Sequence, residues 1–396
     1  MARRTKKPPI IPPALHDSFV RITDPRSQKS QLHSFATVLT IAVCATISGA
    51  DSWVAIEGWA KAKAEWLSTF LDLKNGVPSH DTFGRLFAAM DPEEFQRAFI
   101  SWTESIAESL DGCVVAIDGK TLRRSFDRAN GRSAIHMVNA WVTSQGLSLG
   151  QIKTEEKSNE ITAVPALIRL LKLKGAIVTL DAMGCQKKIT QAICEQEADY
   201  IIAVKNNQRT LHQEITSWFS RFPEFSSVDE TVMTASTTER SRNRTEIRCI
   251  WLSPIPSDFP LTSEWAGLQS IARVESARDI DGKTSVFSRY YISSLPAKEP
   301  QKVLQNIREH WGVENSLHWV LDMSFREDES RIRIDNAAEN MARLRQIAIN
   351  LVKNEPTRKV GVQTSRMRAG WDHDYLLTIL KQNPKKLASK SGALKK

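Results

Sequence analysis

The sequence predicts a mixed α/β protein: an all-α N-terminal module, then an α/β core carrying a mostly β insertion. Three observations lead there. Up to about residue 107 the apolar residues recur at mixed three and four spacing, as on one face of a helix. From Gly112 the texture changes to short β-branched runs separated by helix-like stretches. The chain has 396 residues, more than one core usually organises, so more than one module is expected.

Residues 1–14 read as a basic, Pro-rich tail, with Arg3, Arg4, Lys6 and Lys7 followed by Pro8, Pro9, Pro12 and Pro13 in extended conformation. Within a helical module spanning 15–107, Phe35 to Ile47 and Trp53 to Leu71 carry helical spacing. The turn Asn75-Gly76-Val77-Pro78-Ser79 hands Ser79 to the next helix as its N-cap. His80 to Met90, with Arg85, has the placement of the second helix of a helix-turn-helix, a candidate DNA-binding element. Helix pairs joined by short turns are equally common in any α-domain.

The core is expected over 108–355. Its strands read as Cys113 to Ile117, Ile135 to Thr143, Leu147 to Lys153, Ile177 to Leu180 and Tyr200 to Val204. Helices from Asn159 to Leu173 and from Lys187 to Glu197 lie between the later ones. The order β-β-β-α-β-α-β is that of a ribonuclease H-like fold, in which the first and fourth strands are neighbours. The β insertion covers about 206–295, with strands at Thr245 to Leu252, Leu268 to Glu275 and Ser285 to Ile292. Helices follow at Gln301 to Leu321 and Asn336 to Val352, and 356–396 reads as a basic tail ending in Lys385, Lys386, Lys390, Lys395 and Lys396.

Hydrophobic residues at 41% and charged residues at 25% are those of a folded globular chain rather than a disordered one. Against 45 acidic side chains stand 54 basic ones, a net charge of +9 that favours a polyanionic partner. The five cysteines form no C-x-x-C pair, which argues against a disulfide framework or a zinc site and fits a reducing cytoplasm. Phe35 to Ala50, the longest apolar run, is too short and too rich in Ala, Thr and Ser to span a bilayer, so no membrane role is expected.

Three carboxylates stand out. Asp118 and Asp181 each follow an apolar strand, and Glu314 lies on a helix among His310, Trp311, Leu317 and His318. Hard divalent cations prefer oxygen ligands and are commonly held by a few carboxylates plus substrate phosphates. Each acid also has a plainer account. Asp118-Gly119 suits a hairpin turn, Asp181 suits a helix cap, and Glu314 suits a solvated helix face. The basic residues Lys120, Arg123, Arg124, Arg128 and Arg132 after Asp118 suit a phosphate backbone passing the carboxylate. Phosphate or base contacts are expected from His310 and His318, and stacking on an unpaired base from Trp311 or Trp319.

The stretches Ala116-Ile117-Asp118-Gly119-Lys120, Thr179-Leu180-Asp181-Ala182-Met183-Gly184-Cys185-Gln186 and His310-Trp311-Gly312-Val313-Glu314-Asn315-Ser316-Leu317-His318-Trp319 resemble those of DDE-class bacterial insertion-sequence transposases, particularly the H-repeat-associated group. The resemblance covers nearly the whole chain. It implies that Asp118, Asp181 and Glu314 are catalytic and bind two Mg²⁺ ions, with Mn²⁺ able to substitute, for strand cleavage and strand transfer. Its implied partners are double-stranded DNA, as element ends and target, and a second copy of the chain in a homodimer on DNA. Its implied location is cytoplasmic, nucleoid-associated when bound to DNA.

The sequence departs from related transposases at one place. They often carry Tyr and Arg before the Glu and Lys after it, where this chain has Ile307, His310 and Leu321. Arg308, His318, Lys205 and Gln208 are the candidates to take over those contacts. A catalytically silent DNA-binding descendant and a ribonuclease H-like nuclease are the competing classes. A haloacid-dehalogenase-like phosphatase is disfavoured because position 120 is Lys instead of a second Asp.

Overall fold

A computed structural model of the chain describes residues 10–27, 31–126, 131, 133–154, 160–222, 231–241 and 243–381. The basic ends at 1–9 and 382–396, together with Arg128 and Arg132, lie outside the described residues.

Among the described residues six α-helices precede the first strand: α1 (Pro13–Val20), α2 (Phe35–Ile47), α3 (Trp53–Ala62), α4 (Ala64–Ser68), α5 (His80–Ala89) and α6 (Pro92–Ile106). The expected tail over 1–14 is corrected at its inner end. Ile10 and Ile11 are buried, and α1 begins at Pro13, because proline suits the first helical position where no backbone donor is needed. α2 is apolar all round and therefore central; Ser34 caps it by accepting from the Thr37 amide. Ser79 caps α5 in the same way, as its sequence suggests. The exposed start of α5 carries Asp81, and His80 bonds Glu57 at 2.5 Å.

The remaining strands form one nine-stranded sheet in the order β3-β2-β1-β4-β5-β9-β8-β7-β6. They are β1 (Val114–Thr121), β2 (His136–Val142), β3 (Leu147–Lys153), β4 (Ile177–Leu180), β5 (Asp199–Val204), β6 (Met233–Ser241), β7 (Arg244–Pro254), β8 (Ser270–Ile280) and β9 (Lys283–Ser293). β1 and β4 are parallel neighbours, as the strand order requires. One face is covered by α7 (Glu160–Leu170), α8 (Lys187–Glu195) and α9 (Arg209–Phe219), whose apolar sides join Val178, Leu180 and Ile202 in one cluster. On the opposite face α10 (Pro300–His310) sets Val303, Leu304 and Ile307 against Ile177 and Ile201.

Several expected boundaries move. Residues 206–295 open with α9, whose Leu211, Ile215 and Phe219 recur every four residues and are buried. The β segment that follows has four strands instead of three, and β9 pairs with β5, so the insertion extends the core sheet rather than standing apart. β1 runs on to Thr121 and pairs Asp118 with Asn139, which removes the hairpin-turn reading of Asp118-Gly119. The helix expected from Gln301 to Leu321 is interrupted. α10 ends at His310, a π-helical turn occupies Glu314–His318, and α11 (Trp319–Phe325) continues.

The C-terminal tail is corrected as well. α12 (Ala337–Lys353) is followed by α13 (Val362–Trp371) and α14 (His373–Leu380), and Ala369, Leu376 and Ile379 are fully buried. In α14 an apolar run outweighs the basic residues around it, and α13 is held by buried Val362 and Ala369 and by the ion pair of Arg366. α12 packs against α2, α5, α6 and β3 at once, so the helical module shares one of its clusters with Ala116 of β1 and Trp141 of β2. Arg366 on α13 reaches Asp51 at 2.7 Å while its guanidinium lies 3.9 Å over the Phe325 ring. Among the described residues no helix is long and apolar enough to cross a membrane.

Candidate active site

The site is built where β4 ends and β1 continues. The parallel register pairs Ala116 with Thr179, so Asp118 and Asp181 stand two residues further along adjacent strands, and alternation puts both on the face covered by α10. Asp181 caps the 3-10 turn Ala182–Gly184, its Oδ1 accepting from the amides of Met183 and Gly184. Both sequence readings of Asp181 thus hold in position: it is a cap, and it lies at the carboxyl edge of the sheet.

Glu314 comes from the opposite layer. Its approach depends on Gly312, where an added Cβ would lie 2.7 Å from Thr143 Cγ2; only a bare backbone lets the helix settle onto the end of β2. Thr143 Oγ1 fixes that contact by donating to the Glu309 carbonyl at 3.1 Å. Single π-helical turns are rare and concentrate at functional sites, and this one carries Glu314 at its start and His318 at its end.

Ligand atoms of Asp118, Glu314 and His318 lie within 4.8 Å of one another. Burial pushes the Asp118 carboxyl up to about 8, and the Glu314 charge and hydrogen bond beside it push the same way. Glu314 moves down, chiefly because of the His318 imidazole. Without a cation the two acids therefore share a proton that resides on Asp118. A pair of carboxylates forced together in this way fits a divalent cation, which would replace the proton and relieve the repulsion. Asp181 lies outside that group of three, yet its charge and that of Glu314 both act on His310.

The other expected site residues divide. His318 is only 4% exposed, with Nδ1 3.6 Å from Asp118 Oδ2 and from Glu314 Oε2; it is turned inward onto the acids, and the expectation of a DNA contact from it is corrected. His310 bonds Thr179 Oγ1 through Nδ1 at 3.0 Å, and burial holds its pKa below the usual value, so it is neutral near pH 7. Lys120 is a second correction. Its ammonium is buried against Asp322 at 2.7 Å, Asp328 at 3.1 Å and Glu327 at 3.8 Å, so it neutralises an internal acidic cluster and cannot reach a phosphate. Gln208 is half-buried, its amide donating to the Cys185 carbonyl at 2.9 Å beside the turn after Asp181.

The remaining residues do face solvent. Lys205 lines a depression of about 430 Å³ together with Asp181. Arg123 is exposed and pairs with Asp328 at 3.1 Å, and Arg124 is exposed with its carbonyl accepting from Arg333. Trp311 and Trp319 are 48% and 58% exposed, the Arg289 guanidinium lying 5.4 Å over the Trp311 ring.

Sequence reasoning missed a groove of about 940 Å³ between α10 and the sheet extension. Arg244, Arg248, Arg278, Arg289 and Arg308 line it, and it continues to Trp311, Asn315 and Ser316 beside Glu314. Glu239 and Glu246 pair with these arginines: Arg248 lies 2.7 Å from Glu246 and 3.4 Å from Glu239, which also pairs with Arg308. The signal was available as strand alternation, because Arg244, Glu246 and Arg248 occupy one face of β7.

Residues 109–351 match the family described as the transposase DDE domain, and residues 16–103 match the associated domain that accompanies it. The chain belongs to the DDE transposase family. Within it the resemblance is to the H-repeat-associated group: the H repeat-associated protein YhhI of Escherichia coli K12 is 39% identical over 366 residues, 91% of this chain and 95% of YhhI. YncI of E. coli O157:H7 is 40% identical over 373 residues, 93% of this chain and 94% of its own. A solved piggyBac transposase complex with hairpin DNA shows 12% identity and a TM-score of 0.42, covering 98% of this chain and 81% of that one.

Proposed function

We propose that the chain catalyses metal-dependent DNA strand cleavage and strand transfer at insertion-sequence ends, on a ribonuclease H-like core, with Asp118, Asp181 and Glu314 as its catalytic acids. The observation that carries this reading is the meeting of Asp118 with Glu314, brought from a strand and a distant helix into one proton-sharing pair beside the strand end that bears Asp181. Asp118 and Glu314 would hold one divalent cation, and Asp181, reached across the strand gap, would complete a second position. When bound there, divalent cations supply activation of the attacking oxygen and charge stabilisation of the leaving oxygen.

The protein's own groups do the rest. His310, fixed by Thr179 and neutral, leaves Nε2 to meet a phosphate oxygen or water beside Asp181 and Glu314. The groove arginines hold the duplex by its phosphates, displacing Glu239 and Glu246 from their ion pairs. Trp311, exposed at the groove end nearest Glu314, offers a ring on which a base freed from the duplex stacks. Two DNA ends call for two protomers, so a dimer on DNA is part of this reading.

The test is a cleavage and strand-transfer assay on DNA carrying the sequences that flank the gene, with Mg²⁺, with EDTA, and with Glu314→Gln beside the wild type. Products that need Mg²⁺ and vanish in the variant, while DNA binding persists, support the reading. Binding without any product in the wild type sinks it in favour of a silent descendant, and nicking without joined product favours a nuclease.

A further inference from the structure

We propose that His318 is a metal ligand beside Asp118 and Glu314, giving this centre a mixed nitrogen and oxygen donor set that takes a first-row transition cation in preference to Mg²⁺. The inference rests on the metal-centre reading above and concerns which cation it selects. Three observations carry it.

First, His318 Nδ1 stands 3.6 Å from a carboxylate oxygen of each acid. That is longer than a good hydrogen bond, yet two ligand atoms bound to one cation at about 2.1 Å each, at right angles or wider, stand roughly 3 to 4 Å apart. Second, the imidazole is buried in a place where an all-oxygen Mg²⁺ site has no use for nitrogen. Third, its far nitrogen is backed by a buried amide relay. His318 Nε2 lies 3.4 Å from Asn139 Nδ2, Asn139 Oδ1 accepts from Gln346 Nε2, and Gln346 Oε1 accepts from the Ser148 hydroxyl.

Metal-bound histidines hold their other ring nitrogen by a hydrogen bond, which fixes the tautomer and the ring. The relay can meet that requirement in either direction, the turned-over state giving up the long 3.4 Å donation from Asn139 Nδ2 to the Met137 carbonyl. With Nδ1 protonated, Nε2 accepts from Asn139. With Nδ1 bound to a cation, Nε2 carries the proton, and Asn139 and Gln346 turn their amides over so that Oδ1 accepts it and Asn139 Nδ2 donates to Gln346 Oε1. His310 has no such freedom at Nδ1, which is engaged by Thr179.

The experiment loads the full chain, free of DNA, with Mn²⁺ and records pulsed electron paramagnetic resonance. The expected result is coupling of the bound Mn²⁺ to a ¹⁴N nucleus, lost in His318→Gln, which replaces nitrogen by a carbonyl oxygen. Competition should also show the preference for Mn²⁺ over Mg²⁺ falling at least tenfold in that variant, and Glu314→Gln should weaken both ions. Bound Mn²⁺ without nitrogen coupling in the wild type overturns the proposal, as does an unchanged preference in a folded variant. If the variant does not fold, the wild-type spectrum decides alone. Nitrogen coupling in a chain that cleaves no DNA would refute the reaction and leave this ligand set standing; cleavage with no nitrogen coupling would do the reverse.

Discussion

Replacing Asp118 by Asn should stabilise the metal-free protein while removing its capacity to hold a cation. The Asp118 side chain is 18% exposed and its pKa is pushed up to about 8 from 3.8, by burial first and by Glu314 second. Between those values the folded state binds the proton that the unfolded chain gives up, so the stability of the wild type falls as pH rises from about 4 to about 8. Carried to pH 7 at about 1.4 kcal/mol per pH interval, the full penalty is roughly 4 kcal/mol. Glu314 moves in the opposite direction, so a single proton serves the pair, and about half of that, roughly 2 kcal/mol, is the expected gain for the variant. The Asn amide can still donate to Glu314 in place of the shared proton. Thermal unfolding in EDTA should show the variant melting about 2 to 5 °C higher at pH 8, with the two proteins converging toward pH 5. Adding Mn²⁺ or Mg²⁺ should then raise the wild-type midpoint and leave the variant unmoved. A variant less stable than wild type in EDTA, or a gain that does not grow with pH, would refute the account of a strained carboxylate pair.

Lys120→Met should destabilise the fold by about 2 to 3 kcal/mol in denaturant titrations, since it leaves half-buried Asp322 without its cation and buried Glu327 with Arg345 alone, while Asp328 keeps Arg123. If the loss is below about 1 kcal/mol, Lys120 is not the keystone of that cluster. Gly312→Ala should cost about 1 to 3 kcal/mol by crowding Thr143 and should lower nicking by displacing Glu314, with Thr143→Ala restoring both in the double variant. Failure of that rescue would mean the helix is positioned by something else. Arg248→Ser with Arg289→Ser should flatten the dependence of log DNA affinity on log salt by about 0.9 for each phosphate that is no longer neutralised; an unchanged slope would take the duplex out of the groove.

Much of the site was legible because its acids follow or lie in apolar segments whose spacing names the element. Val114 to Ile117 and Ile177 to Leu180 cannot be other than buried strands; Asp181 emerges where β4 ends, while β1 continues past Asp118, which the apolar run alone could not tell. Lys120 was illegible for the opposite reason: a lysine among basic residues looks solvated, and the acids that bury it lie about two hundred positions away in sequence. His318 was half legible, since its four-residue spacing from Glu314 puts both on one helix face, while its burial depends on Asn139 from β2. β6 escaped notice because an edge strand of Thr, Ser, Glu and Arg has no apolar face to announce it. The helices α9 and α14 had clear apolar residues to mark them, but stretches rich in turn residues or in lysine drew attention away from them; α13 had none, since its buried side includes Ser365 and Arg366.

The continuity of the sheet turns the protein into a ruler. Strands in a sheet stand about 4.8 Å apart, so β7, four places from β4, lies roughly 19 Å across the sheet, and Arg248 lies a further five residues, roughly 17 Å, along β7 from Ser253, the residue level with the end of β4, or about 25 Å in all. The arm that carries it is laddered from β7 through β8 to β9, and β9 is laddered to β5 at its inner end. At about 3.4 Å per base pair that distance spans about seven base pairs. A duplex gripped by the groove arginines would then present the same phosphodiester to the acids each time, and cutting position would be set by strand count instead of by reading the base at the cut.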